Sequence, residues 1–118
     1  MNYRPLGQTD LKISALTLGT MTWGEQNTEA EAHQQIDMAL DVGINCLDVA
    51  EMYPVPPKPE TQGLTEAYLG SWLQKKQQRD RIIIATKVTG PGETFHYLRG
   101  GTRLTRAQMF RFKTPTIC

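Results

Sequence analysis

Asp48, Tyr53 and Lys87 are the residues of this 118-residue sequence whose types and positions could do chemistry together. Asp48 closes the apolar segment Ile44-Asn45-Cys46-Leu47, and Lys87 closes Ile82-Ile83-Ile84-Ala85-Thr86. Neighbouring parallel strands lie about 4.8 Å apart, so two such strand ends would bring the side chains together at the carboxyl edge of a sheet. That edge is where α/β folds build their sites. Tyr53 follows Asp48 by five residues, and the four prolines between Pro54 and Pro59 supply a turn that can return its ring over the same edge. A tyrosine hydroxyl ordinarily holds its proton up to a pH of about 10, and an adjacent ammonium favours the phenolate. Asp48 would then hold the lysine in place and protonated, leaving Tyr53 as a general acid for a carbonyl oxygen. The same three residues also describe a strand-end carboxylate, an exposed cation and a half-buried aromatic, because ion pairs at strand ends arise for structural reasons alone.

The elements that must position these groups are legible in the pattern. "YRPLGQTDLKIS" places Gly7-Gln8-Thr9-Asp10 between two short arms, the chemistry of a hairpin turn. Ala15 to Gly24, "ALTLGTMTWG", predicts a strand running into a small-residue loop. Thr28-Glu29-Ala30-Glu31 has capping-box form, and Ala32, Ile36, Ala39 and Leu40 recur at helical spacing up to Gly43, a C-cap residue. Residues 44–49 and 82–86 predict the second and third strands, with Leu64, Tyr68, Leu69, Trp72 and Leu73 marking the inner face of a helix between them. Strand, helix, strand, helix, strand is the order of a parallel α/β sheet buried on both faces. After Thr89 the periodicity dissolves through Gly90-Pro91-Gly92 and Gly100-Gly101, and "LTRAQMFRF" reads as a weak helix start.

Composition bounds the rest. A chain this short with 39% hydrophobic residues supports one core and not two. A formal charge of +1 gives no global attraction to nucleic acid or membrane. Cys46 and Cys118 are too far apart in sequence and context to suggest a disulfide framework or metal spacing, which points to a reducing, cytoplasmic setting. No apolar run approaches the roughly 20 residues of a membrane span.

"LTLGTMTWGEQN", "GINCLDVAEMY" and "IIIATK" together resemble the first three strand regions of the aldo-keto reductases, and "DVAEMYPVPPKPETQGLTE" resembles the Tas-like branch of that family. The likeness runs from Met1 to about Gly92. It implies the amino-terminal part, about three β/α units, of a (β/α)8 barrel preceded by a β-hairpin, with residues 93–118 a divergent, irregular tail. It further implies NADPH as cofactor and a small aldehyde or ketone as substrate, with Asp48, Tyr53 and Lys87 as three members of a catalytic tetrad. By the same resemblance Gly19, Thr20, Met21 and Asp48 bind the cofactor, and Trp23 with Tyr53 walls the substrate pocket.

The sequence also departs from the family. A full barrel takes about 250 residues, and the tetrad's histidine, which the family carries in a His-Trp-Pro strand, has no counterpart. His96 reads as a solvated loop histidine and His33 as an ordinary helix residue, and two lone histidines make no metal site. "FRFKTPTIC" does not continue the family's next helix. These departures lead us to expect a truncated form, inactive or very weak alone, that self-associates or pairs with an intact family member. Gly19 and Gly24 have the outer spacing of a phosphate loop, but Glu25-Gln26 stands where its lysine and hydroxyl residue belong, which excludes that reading. The basic residues Arg99, Arg103, Arg106, Arg111 and Lys113 lack any aromatic platform for nucleic acid and read as a solvated segment.

Overall fold

The structure is a computed structural model and describes residues 1–99 together with Thr105 and Arg106. The chain opens on a hairpin of β1 (Tyr3–Pro5) and β2 (Lys12–Ser14), antiparallel with Tyr3 opposite Ser14. There follow β3 (Thr17–Gly19), α1 (Glu29–Asp41), β4 (Cys46–Asp48), α2 (Leu64–Lys76) and β5 (Ile83–Ala85). The last three strands form a parallel sheet in the order β3-β4-β5. The expected hairpin and the alternating α/β order are therefore both present.

Local chemistry fixes each boundary. Thr28 caps α1 in a complete capping box: its hydroxyl accepts from the Glu31 amide, and the Glu31 carboxylate accepts from the Thr28 amide at 2.7 Å. The helix ends at Val42, and Gly43 beyond it takes a φ of +85°, the left-handed conformation that favours glycine. The hairpin joins the sheet through a side chain: Asn45 Oδ1 accepts from the Ser14 amide at 2.8 Å, and its Nδ2 donates to the Lys12 carbonyl at 3.0 Å. β4 and β5 are shorter than the apolar runs that contain them. The backbone pairing nevertheless continues past both, from the Val49 amide to the Ala85 carbonyl at 2.9 Å and from the Glu51 amide to the Lys87 carbonyl at 3.1 Å.

Strand alternation divides the residues between two faces. Leu18, Leu47 and Ile84 share one register level and pack towards the helices, where Trp23, Ile36, Leu40, Leu69 and Trp72 complete the core. Both tryptophans are fully buried, and each indole N–H needs an acceptor there. α1 supplies both: Trp23 Nε1 donates to Gln35 Oε1 at 2.7 Å and Trp72 Nε1 to Asp37 Oδ1 at 2.9 Å. Of the inner face expected for α2, Leu69 and Trp72 are buried, while Tyr68 and Leu73 pack half-buried against the same cluster. Leu64 instead lies against Gly24, where a Cβ would stand 2.6 Å from the leucine Cβ, so only glycine admits this approach.

The chain does not turn irregular at Gly92. Glu93–Phe95 forms a 3-10 turn that leads into a one-turn helix, α3 (His96–Arg99), with Leu98 buried. Helical pieces this short leave no periodicity to read. Apart from Thr105 and Arg106, the helix start at 104–112 lies outside the described residues, as does most of the basic segment. Among the described residues no strand pairs with the outer edge of β3 or of β5.

Asp37 lets the helix interface be tested. Its hydrogen bond from Lys76 holds the Asp37 carboxyl below its ordinary value of 3.8; burial opposes this, and the Trp72 N–H adds to it. A depressed carboxyl contributes stability that is present above the unfolded value and is lost as pH falls through the folded one. Asp37→Ala orphans a buried indole N–H and should cost about 1–3 kcal/mol. Asp37→Asn keeps that acceptor and loses only an exposed ion pair, costing about 1 kcal/mol or less. Urea melts at neutral pH check the order, and the acid dependence below pH 4 should be weaker in Asp37→Asn than in the parent.

Candidate active site

The parallel register sets Gly19, Asp48 and Ala85 side by side at the carboxyl end of the sheet, on the face away from the helices. Lys87, two residues past Ala85, turns its ammonium onto Asp48, with Nζ donating to Oδ1 at 2.5 Å. The same ammonium stands 4.8 Å from the centroid of the Tyr53 ring, within the range of a cation–π contact. Asp48, Tyr53 and Lys87 therefore meet, as the strand ends predict. The Lys87 and Asp48 side chains are 49% and 42% exposed, so the pair adds little to stability and remains open to a ligand.

Tyr53 comes back to the edge through a tight turn after β4, its amide donating to the Ala50 carbonyl at 3.0 Å. The proline-rich loop beyond it includes cis bonds at Tyr53–Pro54 and Val55–Pro56. It is tied down at two points: the Val55 amide donates to the Met21 carbonyl at 2.8 Å, and the Gly63 amide to the Tyr53 carbonyl at 2.9 Å. The loop after β3 and the loop after β4 thus form one surface.

Burial works against the charge on Lys87, but the hydrogen bond to Asp48 and the Tyr53 phenol beside it outweigh that, and its pKa lies above the ordinary 10.5. Beside the ammonium lies a hollow of about 270 Å³ bordered by Ala50, Met52, Val88, Thr89, Pro91 and Phe95.

The remaining expected site residues divide. Gly19 is exposed, and a Cβ built on it meets nothing within 4 Å; Met21 is 47% exposed. Thr20 is fully buried and its hydroxyl donates to the Asp48 carbonyl at 2.8 Å, so it braces the site from behind. Trp23 requires a correction. Its indole has no exposed surface and belongs to the core under the helices, while its carbonyl accepts from the Thr65 hydroxyl at 2.7 Å. An indole with no exposed surface, its one N–H satisfied by Gln35 in the core, is not a wall of an open pocket, and the loop's small residues gave no sign that this one turns inward.

His33 Nε2 lies 3.0 Å from the Tyr68 carbonyl and 2.9 Å from Ser71 Oγ, which makes it a link between α1 and α2. His96 opens α3 and is exposed, with Nδ1 facing the Glu93 carbonyl at 3.0 Å. Sequence reasoning missed Glu51, whose carboxylate accepts from the Thr89 amide at 2.9 Å. Its position between Asp48 and Tyr53 was the one available signal.

The model of the Aldo/keto reductase family matches residues 15–109, past Gly92 and through "LTRAQM". The chain is 60% identical over 91 residues to Protein tas of Escherichia coli strain K12, covering 77% of this chain and 26% of that protein. It is 41% identical over 92 residues to the uncharacterized oxidoreductase YrpG of Bacillus subtilis strain 168, covering 77% and 27%. Among solved structures it resembles the holo form of the aldo-keto reductase AKR11C1 from Bacillus halodurans, at 37% identity and a TM-score of 0.60, over 80% of this chain and 28% of that one. The chain belongs to the aldo/keto reductase family, and its sheet is the amino-terminal part of that family's barrel. It spans about a quarter of the length of these relatives.

The Asp48–Lys87 contact predicts an alkaline signature. A raised lysine pKa contributes stability that is fully present below the unfolded value and is lost as pH rises through the folded one. Asp48→Asn should bring the Lys87 titration, followed by NMR of ¹³C-methylated lysines, back towards 10.5. An unchanged titration would show that Asp48 does not hold the ammonium.

Proposed function

We propose that these strands carry the acid–base part of an NADPH-dependent aldo-keto reductase that converts an aldehyde or ketone to its alcohol. The observation that supports this most is the cluster of Asp48, Lys87 and Tyr53 at the open carboxyl edge. NADPH, when bound, supplies the hydride for the carbonyl carbon. Tyr53 gives its phenolic proton to the carbonyl oxygen, and the Lys87 ammonium stabilises the negative charge left on the tyrosine oxygen. Asp48 keeps that ammonium charged and oriented.

The residues present suit the nicotinamide end of such a cofactor. Nothing stands over Gly19 within 4 Å of a built Cβ, so a flat ring can approach the backbone beside the partly exposed Asp48 carboxylate. Gly19, Met21 and Asp48 would hold it, with Thr20 behind them. The free, buried thiol of Cys46 suits a reducing compartment such as the cytoplasm, and among the described residues no helix is long and apolar enough to cross a membrane.

A second reading is favoured by the outer edges of β3 and β5, with which no strand pairs among the described residues, since exposed strand edges recruit other strands. In it the 118-residue chain has little activity alone and acts as an accessory that self-associates or pairs with an intact family member. Titration with NADPH, followed by tryptophan fluorescence, separates the two. On the first reading NADPH binds, and Tyr53→Phe lowers carbonyl reduction about 100-fold or more with binding unchanged. Absence of NADPH binding, together with co-purification of a longer homologue and oligomers in size-exclusion chromatography, selects the second.

A further inference from the structure

We propose that Glu51 is a positioning residue of this site, gripping the chain on either side of Val88 and so setting where Lys87 stands against Asp48 and Tyr53. The inference takes its chemical purpose from the reductase reading but rests on geometry of its own. Regular pairing of β5 ends at Ala85, so Lys87 lies beyond the strand that should orient it. Two bonds from one residue continue the hold: the Glu51 amide donates to the Lys87 carbonyl at 3.1 Å, and Glu51 Oε2 accepts from the Thr89 amide at 2.9 Å. The second is charge-assisted, stronger than a neutral contact of the same length.

Glu51 is also fastened to the loop that carries Tyr53. Its carbonyl accepts from Gln62 Nε2 at 2.9 Å, and one residue on, the Gly63 amide closes onto the Tyr53 carbonyl at 2.9 Å. A single residue therefore joins the lysine-bearing segment to the two ends of the tyrosine-bearing loop. The side chain that makes the outer grip is partly buried, and both grips fall on backbone groups of the lysine-bearing segment. Ala50, Lys87 and Thr89 also border the hollow beside the ammonium, so the same grip shapes its wall.

The test follows Lys87 in the full 118-residue chain by NMR of ¹³C-methylated lysines, with its signal assigned by Lys87→Arg. The parent should titrate above 10.5, and Glu51→Ala should bring Lys87 back towards that value while the remaining spectrum stays folded. Glu51→Gln, whose side-chain oxygen still accepts the Thr89 N–H, should keep most of the elevation. Thr89→Pro, which removes the donor, should repeat the Glu51→Ala shift and decides the matter if Glu51→Ala does not fold. An unmoved Lys87 in Glu51→Ala and Thr89→Pro overturns the proposal, and so does an equal fall in Glu51→Gln. NADPH titration of the same samples keeps the two ideas apart. No binding by the parent with the Lys87 response intact removes the reductase reading alone, whereas binding without the Lys87 response removes the positioning role alone.

Discussion

The arrangement at the carboxyl edge depends on the register in which β4 lies between β3 and β5. Level pairing of Gly19 with Asp48 and of Asp48 with Ala85 puts a side-chain-free position on one flank of the carboxylate and a short side chain on the other. A slip of one residue would turn Asp48 into the core and Leu47 out to the edge. The register is held because one face is buried: Leu18, Leu47 and Ile84 must all reach the helices together. The Lys87 contact and the return of Tyr53 are possible only on that frame.

The helices secure the frame through polar side chains as much as through apolar ones. Gln35 and Asp37, which lie on either side of Ile36, each accept the N–H of a buried indole, one from the loop after β3 and one from α2. His33 reaches the Tyr68 carbonyl one turn earlier. α1 is thus bonded, through side chains on both flanks of Ile36, to the loop that precedes it and to α2. This explains why a helix with modest apolar content can anchor the sheet, since the large surfaces come from Trp23 and Trp72 and the helix supplies their acceptors.

Most of the scaffold was legible because its signals are local. The capping box at Thr28, the glycine after α1 and the Ile82–Ile84 run each report on their own neighbourhood, and the features these three signals predict are present. Asp48, Lys87 and Tyr53 were legible as a group because strand ends in a parallel sheet share an edge. The inward turn of Trp23 and the grip of Glu51 on Thr89 were not, because both depend on which segments meet across the fold. The hydroxyl of Thr20 shows the same limit: it sits in the expected loop, yet its orientation towards the Asp48 carbonyl is set by packing. The helical turns after Gly92 were too short to leave a pattern.

In β4 and the residue after it, Leu47 and Val49 are fully buried in the core, while Asp48 between them points to the opposite side. Adjacent positions of one strand thus answer to different selective demands. Substitutions at 47 and 49 act on the core, whereas those at 48 change the charge and hydrogen bonding at the edge and hardly touch the core. A lineage built on this strand can explore new edge residues without first surviving a loss of its fold, which is one route by which a single scaffold comes to serve many substrates.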